Sequence, residues 1–358
     1  KSNVTIHLEE GAILVGSLNP FDYNRHDYWT SLVFAYDQEN IAITGNGVID
    51  GRGYQVANNV LSMIHKGIIK DNDFRYDRPN AGLRPHNIYF KGCKNVHIQG
   101  IILKDPASWN QQYDQCKNVL VENITVDSKS YWNNDGIDIV DCDSVIVRNC
   151  YIDAADDGIC LKSTSPKSCK NVVISDCVIK SHCNALKMGT ETSGGFQNIT
   201  INNCVVSPSV DPNPIYGTIR GQSAISVEMV DGGLLDCVNI SNITITETDC
   251  PIFIRLGNRA RKHSPSAPNP KMGSLQNVNI SNVIATTSSK ITSNITGIPG
   301  YNAENISLNN IMITNLSDGS PQEAGLKPEE NEKGYPTAAM FGKVLPASGF
   351  FVRHVKNI

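Results

Sequence analysis

Short runs of alternating apolar and polar residues fill most of the chain, and Asn, Gly or Cys separates many of them. The segment 119–126, for example, reads Val-Leu-Val-Glu-Asn-Ile-Thr-Val. Short runs rich in β-branched side chains are typical of strands that turn one face toward a core. Long stretches with helical spacing are few. The pattern therefore predicts an almost entirely β protein.

The same segment recurs along the chain. Cys93-Lys94-Asn95-Val96 is nearly repeated from Cys116 and again from Cys169, with weaker copies as far as Asn305. Successive copies begin 23 to 40 residues apart. A repeat of this length, made of short strands without an intervening helix, indicates a solenoid in which each turn stacks on the preceding one. We predict a right-handed parallel β-helix.

Both ends of the chain carry the same alternation. Residues 1–6 and 349–355 alternate as strands do. We therefore expect one parallel β-helix domain covering residues 1–358, cut within structure at both ends. No signal peptide is visible in the sequence.

Cysteine and asparagine recur at fixed places in the repeat. Cys150, Cys177 and Cys204 lie 27 residues apart, so stacking of the turns would place them in one internal column. Free thiols pack as small apolar side chains, and packing is favoured over disulfides, although one bond between turns is left open. Asn tolerates tight corners, and its frequent Asn-x-Ser/Thr sequons are therefore weak indications of glycosylation.

Composition and charge exclude several classes of protein. The 358 residues include 31 Lys and Arg and 35 Asp and Glu, a net charge of −4, without the basic excess of a nucleic-acid binder. No run approaches the ~20 apolar residues of a membrane-spanning helix. Zinc-ligand spacing and phosphate-binding glycine loops are both missing. We expect no cofactor, no nucleic-acid partner, no membrane span and a monomeric protein.

Three turns of the repeat are enlarged, at residues 53–84, 207–222 and 257–274. The first insertion contains Arg75 and Arg78. Long loops in a regular coil are where specificity usually resides. We expect the three insertions to border the functional face and to close one end of a cleft.

Aligning the second strand of successive turns brings acidic residues together. Asp135-Gly136-Ile137 and Asp157-Gly158-Ile159 fall in register, and Asp156 adjoins Asp157. Outward positions of the same strands collect Asp138, Lys187, Glu228 and Arg255. Close carboxylates raise one another's pKa, so such a group is costly without a purpose. Glycoside hydrolysis needs this arrangement, one acid protonated and others ionised to activate water.

These acid motifs resemble glycoside hydrolase family 28, the polygalacturonases and rhamnogalacturonases. The segment 133–138, Asn-Asn-Asp-Gly-Ile-Asp, is similar to the family's Asn-Thr-Asp-Gly-x-Asp signature, and 155–159 resembles its Asp-Asp motif. Segments 11–14 and 105–109 extend the resemblance over most of the chain. The resemblance implies a pectin-lyase-like β-helix that hydrolyses pectic, galacturonate-containing polysaccharides or oligosaccharides, and an extracellular or periplasmic location.

The resemblance also implies roles for individual residues. Asp156 would be the general acid, and Asp135 and Asp157 the bases that hold the attacking water, in an inverting mechanism. Acid and base carboxyls of inverting enzymes lie about 6.5–9.5 Å apart. Six residues are expected to contact the substrate: Asn133, Asn184, Lys187, Arg220, Glu228 and Arg255. The lysine and the two arginines would bind the carboxylates of uronate sugars. Trp109 and Trp132 border the expected cleft, where stacking on a sugar and simple packing are both consistent with the pattern.

Two departures from the family pattern affect the substrate. The family's Gly-His-Gly is replaced by residues 183–185, Cys-Asn-Ala, and its Arg-x-Lys by Arg255-Leu256-Gly257. His182 lies before the matching position and is predicted to be an ordinary corner residue. Members of the family that cleave rhamnogalacturonan also lack the histidine. A modified or branched pectic substrate is therefore favoured over plain polygalacturonate. Closure of one end of the cleft by the three insertions would favour cleavage at the end of such a chain.

Two alternatives remain open from the sequence. In a calcium-dependent pectic lyase, Asp135, Asp156 and Asp157 would bind Ca²⁺ through oxygen, and Arg255 would abstract the proton. Sensitivity to EDTA and an unsaturated product would identify it. A non-catalytic carbohydrate-binding β-helix would bind glycans without turnover and leaves the aligned acids unexplained.

Overall fold

Parallel strands wind around one axis and form a right-handed parallel β-helix, as the repeat predicts. The computed structural model describes residues 1–358 apart from the side chain of His26. Two long sheets run along the coil, one of 17 strands and one of 11. The strands of the two sheets pair in parallel, except for the short strand Arg25–His26 at the edge of the smaller sheet, which pairs antiparallel with Trp29–Tyr36.

The larger sheet carries the apolar repeat. Its strands are Val4–Leu8, Ile13–Val15, Glu39–Gly45, Val48–Asp50, Lys94–Gln99, Ile102–Lys104, Lys117–Glu122, Thr125–Ser128, Asp143–Arg148, Tyr151–Ala154, Cys169–Ser175, Val178–Ser181, Gly195–Pro208, Leu234–Ile245, Ser274–Thr287, Ala303–Asn315 and Val355–Lys356. Val119 pairs with Val145, which pairs with Val172 on the next turn. All three are buried, because alternate side chains of a strand point into the coil.

The smaller sheet carries the polar positions. Its strands are Arg25–His26, Trp29–Tyr36, His86–Lys91, Gln111–Asp114, Ile137–Val140, Ile159–Ser163, Asn184–Thr192, Ser223–Met229, Cys250–Leu256, Ser293–Thr296 and Phe350–Arg353. Ile137 pairs with Ile159, and Ile159 with Leu186. This is the register predicted for the acid-bearing turns, so Asp135 and Asp157 lie at the same height, just before two adjacent strands.

Cysteine and asparagine stack from turn to turn as side-chain columns. All eleven cysteines are free thiols and only Cys237 is exposed, so the packing interpretation holds and no disulfide joins two turns. At the corners, Nδ2 of Asn242 donates to Asn203 at 3.0 Å, and Nδ2 of Asn282 donates to Asn242 at 3.0 Å. These asparagines have φ between 53° and 57°, a left-handed conformation that Asn adopts readily. Asparagine therefore both forms the corner and joins it to the next turn.

The three insertions have little regular structure, with one exception that the strand pattern did not predict. Helix α1, Gly53–His65, opens the first insertion. A second helix, α2, is the single turn Pro321–Ala324, and two 3₁₀ turns span Pro20–Asp22 and Ala81–Leu83. Neither helix has the length and apolar character of a membrane span. Contacts of Arg84 with Asn133, Tyr216 with Trp132 and Arg259 with Asp231 join the three insertions to residues at the ends of strands of the smaller sheet.

Candidate active site

Three carboxylates meet where two neighbouring strands of the smaller sheet begin. Asp135 precedes the strand Ile137–Val140, and Asp156 and Asp157 precede Ile159–Ser163. One carboxylate oxygen from each lies within 4.8 Å of the others. Asp135 and Asp157 are buried, whereas Asp156 is partly exposed. Asp156 is thus the carboxyl of the three that a molecule in solution reaches most easily.

Backbone packing between turns brings these acids together. A Cβ on Gly136 would lie 2.5 Å from the carbonyl oxygen of Gly158, and one on Gly158 would lie 2.6 Å from that of Ala185. Only glycine permits this approach. The side chain of Asn134 fixes the preceding turn, because it donates to the carbonyl of Ser108 at 2.8 Å and accepts from the Tyr131 amide at 2.6 Å.

Asp157 lies among donors from the next turn. Nζ of Lys187 is 2.9 Å from its Oδ2, and Nδ2 of Asn184 is 2.6 Å from its Oδ1. Burial alone would raise the pKa of Asp157, but the charges of Lys187 and Lys162 and these hydrogen bonds hold it below its usual value. Asp157 is therefore the carboxylate that remains ionised.

The pKa values of the other two acids, Asp156 and Asp135, are shifted upward. Burial and the charge of Asp157 raise the pKa of Asp156 to about 6. Burial and the charges of Asp138 and Asp156 raise the pKa of Asp135 well above its usual value. Close groups of this kind titrate together. The site thus combines one carboxylate that nearby cations keep ionised with two acids that retain their protons to higher pH than usual.

Lys162 and Asp138 belong to the same cluster; Asp138 was expected on the outward face of these strands without a role, and Lys162 was not singled out. Nζ of Lys162 lies 3.4 Å from Asp138 and 3.7 Å from Asp135, and 4.7 Å from the ring centre of Trp109. Burial raises the pKa of Asp138 to about 7 despite this cation. The signal was present in the sequence, because strand alternation from Cys160 puts Lys162 on the outward face.

Glu228 is buried close to Lys187. Its Oε1 accepts from Ser226 Oγ at 2.8 Å, and its Oε2 has no hydrogen-bond partner among the described residues. Burial raises the pKa of Glu228 to about 7, although the charge of Lys187 acts in the opposite direction. Glu228 was expected to contact the substrate, but its carboxyl is fully buried in the free protein.

The two expected arginine contacts have different surroundings. Arg220 is half-buried, and its Nε donates to Asp249 Oδ1 at 2.7 Å. Arg255 is fully buried and donates to the carbonyls of Gly297 at 2.8 Å and Asn331 at 2.5 Å. Through the bond to Asn331, its guanidinium holds the C-terminal segment against the coil. The expectation that Arg255 presents a fork to a uronate does not fit this burial.

Three other residues singled out from the sequence take up packing contacts. His182 is buried, and its Nε2 lies 2.8 Å from the carbonyl oxygen of Asp211, as expected of a corner residue. Trp109 packs against Trp29 with ring centres 4.8 Å apart. Trp132 packs edge to face against Tyr216, at 4.7 Å.

The oxygens of the three acids are close enough to share one cation. The ammonium groups of Lys162 and Lys187 already compensate part of that negative charge, at 3.7 Å from Asp135 and 2.9 Å from Asp157. A divalent ion would have to bind against these two buried positive charges, which weakens the case for Ca²⁺.

Comparison with solved structures shows the same architecture. An exopolygalacturonase from Thermotoga maritima is 20% identical, with a TM-score of 0.64 over 87% of this chain and 75% of that one. A family 28 exopolygalacturonase from Yersinia enterocolitica is 19% identical, with a TM-score of 0.68 over 88% and 63%. A polygalacturonase from Erwinia carotovora is 14% identical, with a TM-score of 0.64 over 88% and 81%.

Sequence comparison gives the family. No curated protein sequence matches the chain. The model of the glycosyl hydrolases family 28, in contrast, matches residues 2–329, which include the β-helix turns that carry the three acids. The protein is therefore a glycoside hydrolase that belongs to family 28.

Proposed function

We propose that this enzyme hydrolyses α-glycosidic bonds in pectic, galacturonate-containing polysaccharides or oligosaccharides. The observation that carries the proposal is the difference in surroundings between two adjacent acids. Asp156 is partly exposed and has its pKa raised to about 6, mainly by burial, whereas Lys187 and Asn184 keep Asp157 ionised. A proton donor beside an anionic base is what glycoside hydrolysis requires.

In this proposal Asp156 protonates the glycosidic oxygen of the leaving sugar. Asp157 accepts a proton from the attacking water, and Asp135 helps to orient that water. Asn184 and Lys187 hold Asp157 in place and surround the same position. Asn133 borders the acids from the preceding turn, where its Oδ1 accepts from Arg84 at 2.8 Å.

Inversion at the anomeric carbon is part of the proposal. One oxygen from each of the three acids lies within 4.8 Å of the others. The distance that is diagnostic of inversion, about 6.5–9.5 Å, joins whole carboxyl groups of the acid and the base, so inversion rests on the family resemblance. Following the anomeric proton of the first product by NMR distinguishes the two stereochemical courses.

Cleavage at a chain end follows from the insertions. Arg78 from the first insertion hydrogen-bonds the hydroxyl of Tyr216 from the second and lies over Trp132, 5.0 Å from the ring centre. The two segments thus meet beside the acids, and we infer that they close one end of the cleft. The solved neighbours from Thermotoga maritima and Yersinia enterocolitica are described as exopolygalacturonases, which agrees with this inference. A pectic polymer also implies an extracellular or periplasmic enzyme.

The test is incubation with polygalacturonate and with rhamnogalacturonan oligosaccharides. Reducing ends, ultraviolet absorbance and product size are followed for the wild type, Asp156→Asn and Asp318→Asn, the last a control at an exposed carboxylate. New reducing ends without unsaturated product, lost only in Asp156→Asn, are the expected result, with single sugars or dimers released from the start. An unsaturated product would instead indicate a lyase, and binding without turnover a carbohydrate-binding protein.

A further inference from the structure

A basic cavity of about 300 Å³ lies beside the acids. Four arginines line it, namely Arg75, Arg78, Arg84 and Arg261, and Asn133 forms part of its wall. We propose that this cavity binds the carboxylate of a second uronate, adjacent to the sugar whose bond is cleaved, with Arg78 as the main contact. The proposal rests on the proposed function in taking the ligand to be pectic.

The charge inside the cavity is not balanced. Arg261 pairs with Glu191 at 3.2 Å, but among the described side chains the other three arginines have no carboxylate at ion-pair distance. Asp73, the acidic residue on the wall, accepts from Nδ2 of Asn80 at 3.1 Å. Several guanidiniums around one carboxylate create a positive potential that attracts anions.

The arginines differ in the number of N–H groups they leave free. Arg84 is fully buried and donates to the carbonyls of Pro79 at 2.9 Å and Ala107 at 2.7 Å, so it contributes charge but no accessible donor. Arg78 is partly exposed, and among the described residues its guanidinium has one hydrogen-bond acceptor, the hydroxyl of Tyr216. A guanidinium has five N–H donors, so Arg78 retains enough for a bidentate carboxylate.

A tight hairpin presents these donors. The amide of Arg78 donates to the carbonyl of Arg75 at 3.1 Å, and the two intervening residues have φ of 55° and 53°. His65, at the end of helix α1, holds the hairpin through Asp77, with 2.8 Å between Nε2 and Oδ1. The helix of the first insertion thus positions the guanidinium of Arg78.

The position of the cavity connects it to the reaction. Its wall residue Asn133 lies two residues before Asp135, and the charge of Asp156 acts on the guanidinium of Arg78. A volume of about 300 Å³ is at the lower end of ligand-binding sites. It suits one sugar ring of a chain that continues to the acids.

The experiment measures binding separately from turnover. Isothermal titration calorimetry with the Asp156→Asn protein uses digalacturonate and its neutral counterpart, α-1,4-galactobiose. Adding Arg78→Gln is expected to raise the dissociation constant for digalacturonate about tenfold and to leave that for galactobiose unchanged. Arg148→Gln is the matched control, because Arg148 pairs with Glu122 at 2.7 Å on the other sheet.

A third substitution separates charge from loop position. Tyr216→Phe removes the hydroxyl that Arg78 contacts but keeps the guanidinium, so the preference for digalacturonate should persist. Equal losses for both ligands in Arg78→Gln, no loss for either, or the full loss in Tyr216→Phe would overturn the proposal. If digalacturonate binds through Arg78 but no pectic substrate is hydrolysed, only the proposed function fails. If the pectic substrate is hydrolysed but Arg78→Gln does not weaken the binding of digalacturonate, only this inference fails.

Discussion

Nζ of Lys187 lies 2.9 Å from Oδ2 of Asp157, across one turn of the coil, and both side chains are buried. This ion pair gives Asp157 a different pKa from its neighbour Asp156. Asp157 has its charge compensated, whereas for Asp156, at the next position, burial and the charge of Asp157 outweigh the attraction of the lysines and raise the pKa to about 6. The division of roles between acid and base thus depends on a residue supplied by the next turn.

Asp156→Asn is expected to abolish turnover while the protein stays folded and binds substrate. An amide cannot donate a proton in place of the acid, and the loss of a general acid costs about 10²–10⁴-fold in kcat. Steady-state kinetics on pectic oligosaccharides and a melting curve measure the two effects. Normal activity in this variant would remove the general-acid assignment.

The pH profile should show two limbs. Because Asp156 must be protonated, kcat/KM should fall as pH rises through about 6, and because Asp157 must be ionised, it should fall again in acid. In Lys187→Met the pKa of Asp157 loses its main opposing charge and rises, which moves the acidic limb to higher pH. An unmoved acidic limb would show that Lys187 does not set the state of Asp157. Melting curves check that Lys187→Met remains folded.

Glu228 should make the protein less stable as pH rises. Burial raises its pKa to about 7 in the folded state, so the folded form retains the proton more tightly than the unfolded chain. The resulting stabilisation is present below the unfolded pKa and is lost as pH rises through about 7. Calorimetry of Glu228→Gln should show a melting temperature that falls less between pH 5 and 7.5 than in the wild type. Parallel curves would contradict this.

Cys177→Ala should lower stability without affecting catalysis. Cys177 is buried in the column between Cys150 and Cys204, and removing its sulfur costs about 1 kcal/mol of unfolding free energy. Cys237→Ala is the matched control at an exposed position and should leave the melting temperature unchanged. Denaturant unfolding measures both variants. A change of substrate preference in Cys177→Ala would contradict a packing role.

Arg255→Met should act through stability and not through substrate charge. The substitution removes the donor from the carbonyls of Gly297, which is buried, and Asn331, which is half-buried, at a cost of about 1–3 kcal/mol for the buried group. We expect a lower melting temperature and equal losses of kcat/KM on uronate and neutral substrates. A loss confined to uronate substrates would restore the contact expected from the sequence.

The sequence by itself determined the coil, its register and the meeting of the three acids. Each turn repeats a local pattern, and stacking puts equal positions above one another. Asp135 and Asp157 therefore had to start adjacent strands once the register was set. The same alternation, followed two residues past Cys160, would also have included Lys162 in the site.

Only the tertiary structure decided where the insertions go and which arginines stay accessible. Arg78 reaches Tyr216, 138 positions along the chain, and Arg255 reaches Asn331, 76 positions away. No repeat relates these segments, because long loops settle where distant contacts and burial are most favourable. Arg255 lies on a regular strand yet is buried under the C-terminal segment, whereas Arg78, in an irregular hairpin, keeps its donors free. Burial by segments outside the repeat, which strand alternation does not encode, makes this difference.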